Sequence, residues 1–248
     1  GNYSYTYSYR GKEIKVNKPS KKAQSSFKAY NEVYGAKEGA QKQLNYQYSN
    51  WYELEDKWTK QMDLWYKNLS EEERSAVKRY TGSSYEEMNE YLRSNGKYST
   101  GYKDEVEKVI EALDKIKTEE DMVVRRGVST RGFAGMFDKY EEARDIGGHV
   151  WVKNNMDSLI GQVCTDKGFL STSPYKKGGF SKEVNIKIEL PKGTKGAYID
   201  TISKFQGERE FLVQKGYNYI VTGIERTSKP EMGEDFTVFL RLILPEQQ

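Results

Sequence analysis

The spacing of apolar residues changes about half-way along the chain. Between residues 21 and 117, apolar side chains recur every three or four positions, which predicts amphipathic helices. The clearest stripe consists of six large side chains: Trp51, Leu54, Trp58, Met62, Trp65 and Leu69. Because such a stripe lies on one face of a helix, we expect it to pack against the core.

Local signals divide this half into separate helices. Ser70 and Glu73 have the spacing of a capping box, with Ser70 as the N-cap. The helix that starts there is predicted to run through Tyr80 and to break at residues 82–84. Two further helices are predicted from apolar spacing: one with Met88, Tyr91 and Leu92, which stops near Asn95, and one with Val106, Val109, Ile110, Leu113 and Ile116.

After residue 120 the apolar period becomes two, which predicts strands. The predicted strands contain Met122 to Val124, Phe169 to Ser173, Val184 to Leu190, Tyr217 to Val221 and Phe236 to Leu244. Helices followed by strands indicate an α+β fold with a largely antiparallel core. We expect a tail over residues 1–20 and a single domain over 21–248, helical over 21–117 and β-rich over 118–248. The alternating tyrosines of the tail are typical of an added edge strand or a disordered arm.

Composition excludes several classes of site. The 248 residues include 40 basic and 37 acidic side chains, a formal charge of +3, which is too balanced for nucleic acid to be the main partner. One cysteine and one histidine exclude an internal disulfide, a cysteine-based metal cluster and a multi-histidine zinc site. We expect Cys164 to be a buried or inert thiol and His149 to be structural or solvent-facing. No apolar run approaches the length of about 20 residues that a membrane span requires.

Two acidic residues near a predicted strand suggest a catalytic role. Glu208 and Glu210 are two positions apart in a run that ends in Phe-Leu-Val. In an extended strand their side chains would share one face, with α-carbons about 6.6 Å apart. Paired carboxylates can stabilise a developing cation and transfer a proton.

Other polar residues are predicted at neighbouring strand ends. An arginine such as Arg125 or Arg126 can bind a phosphate through its planar fork. Ser171 can orient a carboxylate, and Phe180, which follows a glycine-containing loop, can stack on a flat heterocycle. Together these residues predict cleavage of an N-glycosidic bond in a phosphate-bearing substrate such as NAD. The chain has no G-x-G-x-x-G sequence, so redox use of NAD in a Rossmann fold has no support.

These motifs resemble those of the mono-ADP-ribosyltransferase toxins, namely the clostridial Rho-modifying exoenzymes and the catalytic components of the actin-modifying binary toxins. The resemblance covers residues 45–248 and implies a helical N-terminal half packed on two mostly antiparallel sheets. The helical segment with Tyr80-Thr81-Gly82 also resembles the family, whose members present a Tyr, an Asn and sometimes an Arg to NAD there. By that match Asn89, Tyr85 and Arg93 are expected to bind NAD.

The resemblance assigns further roles on the strands. Arg125 follows the apolar run as the family's NAD-binding arginine does, whereas an Arg-Gly pattern would select Arg126, so both remain candidates. Ser171 matches the serine that orients the catalytic carboxylate, and Thr172 follows it in the Ser-Thr-Ser motif. Phe180 matches the aromatic residue that clamps nicotinamide.

The acidic motif carries the expected catalytic roles. Glu210 matches the catalytic glutamate, which holds the ribose and stabilises the cation. Glu208 matches the position where glutamate goes with modification of arginine and glutamine with modification of asparagine. Phe205 matches the aromatic residue of the substrate-recognition turn.

The resemblance therefore implies an NAD-dependent protein-arginine mono-ADP-ribosyltransferase that uses NAD as a substrate and needs no metal. We expect a monomeric toxin that is secreted or delivered into the host cytosol, with no nucleic-acid partner. Actin is the first expected host acceptor and a small GTPase is the second. An NAD glycohydrolase that uses water, or an inactive transferase-like binding module, is the alternative.

Overall fold

The computed structural model describes residues 51–174, 182–200, 202, 209–226 and 235–245, and the secondary structure of residues 4–9 and 12–17. Of residues 4–9, 12–17 and 51 it describes the backbone alone. The first two strands, β1 (Ser4–Tyr9) and β2 (Lys12–Asn17), pair with each other in an antiparallel hairpin. The segment expected to be a tail therefore contains a hairpin.

Four helices follow between residues 51 and 117, the part of the helical half that the structure describes. They are α1 (Trp51–Lys67), α2 (Glu71–Arg79), α3 (Tyr85–Arg93) and α4 (Lys103–Leu113). The predicted capping box begins α2: the Ser70 hydroxyl accepts from the Glu73 N–H at 3.1 Å, and the Glu73 carboxylate accepts from the Ser70 N–H at 2.9 Å. A π-helical turn, Tyr80–Ser84, joins α2 to α3, and its Gly82 leaves helical geometry at ψ −114°.

The described residues of the C-terminal half form two sheets. The first sheet has five strands, in the spatial order β3 (Met122–Val128), β6 (Val184–Leu190), β10 (Phe236–Ile243), β9 (Asn218–Arg226) and β4 (Val163–Thr165). The second sheet has the order β5 (Leu170–Thr172), β8 (Phe211–Val213) and β7 (Gly196–Tyr198). The pairing is antiparallel except between β6 and β10, which are parallel.

The β-rich half also contains three helices that the sequence analysis did not predict: α5 (Thr130–Gly135), α6 (Tyr140–Ile146) and α7 (Gly148–Leu159). They bury Phe133, Ala143 and Trp151 in the core of the five-stranded sheet. Two of them are shorter than two full turns, so their apolar residues show little helical period.

The predicted stripe joins the two parts of the core, although α1 ends at Lys67 and Leu69 lies just beyond it. Leu54 and Trp58 pack in the cluster that fills the space between the sheets. Met62, Trp65 and Leu69 pack in the second cluster, where α2, α3 and α4 cover the three-stranded sheet. The α+β architecture, with helices packed on two mostly antiparallel sheets, is thus confirmed.

Candidate functional site

Two neighbouring arginines on β3 point to opposite faces of the five-stranded sheet. Arg126 shares its face with Met122 and Val124, whose side chains are buried between the two sheets. Its guanidinium Nη1 donates to the carbonyl oxygen of Ser171 at 2.9 Å. Arg125 faces the other way, and its Nε and Nη2 atoms donate to Asn185 Oδ1 at 3.4 and 3.3 Å. Strand alternation therefore brings Arg126, and not Arg125, towards Ser171.

The two sheets are joined beside these arginines. The Arg125 N–H donates to the Ser173 carbonyl at 2.7 Å, and the Ser173 N–H donates back to the Arg125 carbonyl at 2.9 Å. The Thr172 hydroxyl donates to the Phe211 carbonyl at 2.7 Å, which ties β5 to β8. The predicted Ser-Thr-Ser motif thus holds the middle of β3 against the three-stranded sheet.

Tyr80 is the centre of a buried polar network between the helices and this sheet. Its side chain is 1% exposed. The phenol shares a hydrogen bond of 3.1 Å with the Ser171 hydroxyl and accepts one of 3.0 Å from the Asn89 amide. Asn89 Oδ1 in turn accepts from the Phe169 N–H at 2.8 Å. Asn89 therefore connects α3 to β5 both directly and through Tyr80.

Glu210 lies next to this network, directly before β8. Its carbonyl oxygen accepts from the Ile199 N–H at 3.0 Å. Burial raises the pKa of Tyr80, the negative charge of Glu210 raises it further, and the positive charge of Arg126 lowers it. Both charges therefore act on the same buried phenol. The arrangement combines a carboxylate, a guanidinium and a serine hydroxyl, which can bind a phosphate-bearing substrate and stabilise positive charge on it.

The geometry before β8 differs from the sequence prediction. The strand begins at Phe211, and Arg209 has a left-handed backbone with φ 52°. Arg209 itself is therefore not in an extended conformation. Glu208, Phe205 and Phe180 lie outside the described residues.

Tyr85 and Arg93 lie on α3 with Asn89 but outside the buried network. Tyr85 is 46% exposed, and its ring meets the edge of Tyr80 with centroids 6.5 Å apart. Arg93 donates through Nε and Nη2 to the two oxygens of Asp166, at 3.1 and 3.2 Å. The guanidinium of Arg93, which was expected to bind NAD, is thus paired with the carboxylate of Asp166 through two hydrogen bonds.

Comparison with known proteins identifies the family. The model for the ADP-ribosyltransferase exoenzymes matches residues 55–236. The chain belongs to this family. The match includes every predicted site residue, from Tyr85 to Glu210.

Individual relatives agree with this assignment. NAD(+)--arginine ADP-ribosyltransferase EFV of Enterococcus faecalis is 32% identical over 163 residues, covering 64% of this chain and 30% of that protein. Mono-ADP-ribosyltransferase C3 of Clostridium botulinum D phage is 28% identical over 167 residues, covering 64% of this chain and 66% of that protein. The chain thus spans about a third of the first relative and just under two thirds of the second.

Solved structures of ADP-ribosylating toxins share the fold. Plx2a, an ADP-ribosyltransferase toxin from Paenibacillus larvae, has a TM-score of 0.63 at 25% identity and covers 77% of this chain and 94% of its own. BECa, an ADP-ribosylating toxin of a binary enterotoxin of Clostridium perfringens, has a TM-score of 0.58 at 17% identity and covers 97% and 55%. The family assignment also supports the prediction that NAD is the substrate.

Tyr80 was not among the predicted site residues of this exoenzyme. It belongs to the Tyr80-Thr81-Gly82 segment that resembles the family, but the role of the NAD-binding tyrosine was assigned to Tyr85. The sequence signal that could have identified Tyr80 is its hydroxyl group at an apolar position of the helix, next to the predicted break. Within the described residues no group of acidic, histidine or cysteine side chains could hold a metal ion.

The single cysteine and the single histidine of the chain have different surroundings. Cys164 is buried, and burial raises the pKa of its thiol well above the usual range. His149 Nε2 contacts a carboxylate oxygen of Asp235. Among the helices described, none is both long enough and apolar enough to span a membrane.

Proposed function

We propose that this chain is an NAD-dependent mono-ADP-ribosyltransferase that modifies an arginine of a host protein. The observation that carries this proposal is the grouping of Glu210, Arg126 and Ser171 around the buried phenol of Tyr80. The relative from Enterococcus faecalis, whose name states NAD and arginine, supports the choice of acceptor.

In this reaction the bond between nicotinamide and ribose C1′ breaks, and its electron pair leaves with nicotinamide. The ribose becomes an oxocarbenium-like cation, which the negative charge of Glu210 stabilises. Ser171 hydrogen-bonds to Tyr80 and orients the carboxylate. A guanidinium nitrogen of the acceptor then attacks C1′ and loses a proton. Glu208 is proposed to orient that guanidinium and to accept the proton, because a guanidinium is a poor nucleophile while protonated.

Of the two candidate arginines, we propose Arg126 as the residue that binds the diphosphate of NAD. Its Nη1 atom already contacts the strand that carries Ser171. Its Nε atom is buried and has no hydrogen-bond partner among the described residues. A buried donor without a partner is costly, and a phosphate oxygen would satisfy it. Arg125 contacts Asn185 on the opposite face of the sheet, so its proposed role is structural.

The other predicted contacts remain part of the proposal. Asn89, Tyr85 and Thr172 would border the bound NAD, and Arg93 would reach it after exchanging Asp166 for a phosphate. Phe180 is proposed to clamp nicotinamide, and Phe205 to contact the acceptor protein. Actin is the first candidate acceptor and a small GTPase the second, and the protein would act after secretion or delivery into the host cytosol.

The decisive experiment measures nicotinamide release and transfer of labelled ADP-ribose to proteins of a host-cell lysate. Glu210→Gln should reduce both about 100- to 1,000-fold, the cost of removing one electrostatic contact to a transition state. Glu107→Gln is the matched control, because Glu107 is an exposed glutamate on α4. Loss of activity in both variants, or in neither, would contradict the proposed role of Glu210.

A second variant separates transfer from hydrolysis. Glu208→Gln should abolish transfer to a small guanidino compound such as agmatine and leave NAD hydrolysis within about tenfold of wild type. Equal loss of both activities would contradict the arginine assignment. Wild-type release of free ADP-ribose without labelled protein would favour a glycohydrolase, and absence of NAD binding by calorimetry would favour an inactive binding module.

A further inference from the structure

A cluster of charged side chains surrounds the residue that precedes Glu210. Arg209 Nε lies 3.3 Å from Glu55 Oε2, which belongs to α1. The Arg209 N–H donates to Asp200 Oδ1 at 2.7 Å, just beyond the end of β7. One arginine thus contacts two carboxylates that come from distant parts of the chain.

The backbone of Arg209 is unusual. Its φ of 52° lies in the left-handed region, which a residue with a Cβ adopts reluctantly. Such conformations persist where the surrounding contacts determine them, and they occur often at functional sites. Here the contacts to Glu55 and Asp200 act on the side chain and on the N–H of the same residue.

The surroundings of this cluster are packed. Trp58 of α1 lies against Tyr198 of β7, with ring centroids 5.8 Å apart. Burial raises the pKa of the Tyr198 phenol, and the negative charges of Asp200 and Glu55 raise it further. The carboxylates of Glu55 and Asp200 are therefore both close to the Tyr198 side chain on β7, which is packed against Trp58. Beside it, the Ile199 N–H donates to the Glu210 carbonyl, which anchors the backbone of Glu210 to the same segment.

We propose that Glu55 and Asp200 are positioning residues, which hold Arg209 in its left-handed conformation and thereby set the direction of the Glu210 carboxylate. This inference rests on the proposed function of Glu210. The φ angle of Arg209 sets the direction in which the backbone continues into Glu210, and with it the direction of the Glu210 side chain. Helix α1, far from Glu210 in sequence, would thus contribute to catalysis without touching the substrate.

The test compares Glu55→Ala with Asp56→Ala, its neighbour on the same helix. Each variant loses one carboxylate of a solvent-accessible ion pair, since Asp56 pairs with Lys60 at 2.9 Å. Glu55→Ala should lower kcat for nicotinamide release at least about tenfold and change KM for NAD less than about twofold, because misplacement of a catalytic group affects the chemical step. Asp56→Ala should leave both constants unchanged.

Two further measurements exclude a merely structural effect. Amide hydrogen exchange of peptides that cover residues 199–213 should become faster in Glu55→Ala and stay unchanged in Asp56→Ala. Reversing the pair with Glu55→Arg and Arg209→Glu together should recover part of the kcat that each single change loses.

The outcomes separate this inference from the proposed function. If Glu55→Ala keeps the kcat of the wild type, the positioning role is wrong and the proposed function stands. The same holds if the double variant Glu55→Arg, Arg209→Glu recovers no kcat. Wild-type protein that releases no nicotinamide overturns the proposed function and this inference with it.

Discussion

The helical half contacts the predicted catalytic residues in two ways that differ in burial and charge. At Ser171 the contact is a buried, neutral network of Tyr80 and Asn89. At Glu210 it is a partly exposed ion pair between Glu55 and the neighbouring Arg209. Buried neutral hydrogen bonds contribute to stability, whereas exposed ion pairs contribute little and are screened by salt. We therefore expect the first contact to fix the fold and the second to adjust the reaction.

The largest expected difference is in folding stability. Asn89→Ala removes the acceptor of the Phe169 N–H and a donor to Tyr80, so a buried donor is left unsatisfied. The free energy of unfolding should fall by about 3 kcal/mol. Glu55→Ala should lower it by less than about 1 kcal/mol. Urea titrations of both variants measure the contrast, and similar losses would show that the two contacts do not differ as proposed.

A smaller loss of stability is expected at Gly168, where the turn before β5 approaches α3 closely. A Cβ at this position would meet Asn89 Oδ1 at 2.8 Å and the Arg93 guanidinium at 3.1 Å. Gly168→Ala should therefore separate the turn from α3 and cost about 2 kcal/mol, the typical effect of overpacking.

Gly101→Ala is the matched control, because nothing lies within 4 Å of a Cβ built there. Thermal unfolding of the two variants checks the prediction. Equal melting temperatures would mean that the turn adjusts without disturbing Asn89.

Alkaline pH should weaken the buried contact selectively. The pKa of Tyr80 is raised in the folded protein, mainly by burial. Above the ordinary tyrosine value of about 10 the unfolded chain ionises while folded Tyr80 keeps its proton, so stability falls as the pH rises.

Tyr80→Phe should be less stable than wild type at pH 7 but should lose less of its remaining stability between pH 10 and 11. Urea titrations across this range measure the slope. Parallel slopes for the two proteins would contradict the assignment, since Tyr198 and Tyr219, whose pKa values are also raised, are common to both.

The smallest expected effect concerns salt. Raising ionic strength from about 0.05 to 0.5 M shortens the screening length severalfold. At saturating NAD, kcat of the wild type should fall about two- to fivefold, because the Glu55–Arg209 pair is partly exposed. The Glu55→Ala variant should show no such dependence. If kcat falls equally with salt in both proteins, the Glu55–Arg209 pair is not the cause of the salt dependence.

Much of the fold could be predicted because its signals are local. The capping box at Ser70 was confirmed, and so were four members of the stripe on α1, Leu54, Trp58, Met62 and Trp65, since both signals depend on spacing along one helix. The α+β class followed from the change of apolar period near residue 120. Helices α5 to α7 were all missed, and α5 and α6 are too short to show a period.

The candidate site was less accessible to sequence reasoning, because its geometry depends on contacts between distant segments. To choose between Arg125 and Arg126, one must know which face of β3 points towards the three-stranded sheet. The role of Tyr80 depends on Ser171, which lies far along the chain. The left-handed conformation of Arg209 reflects Glu55 and Asp200, and no local rule predicts it for an arginine.

The pair of hydrogen bonds between Arg125 and Ser173 has a consequence for folding. Since each sheet contributes one partner, neither can assemble this junction alone. A chain with only one sheet formed would lack the enclosed face on which Arg126 meets Ser171. Enzymatic competence should thus appear late during refolding and vanish in the same cooperative transition that melts the sheets, without an active intermediate.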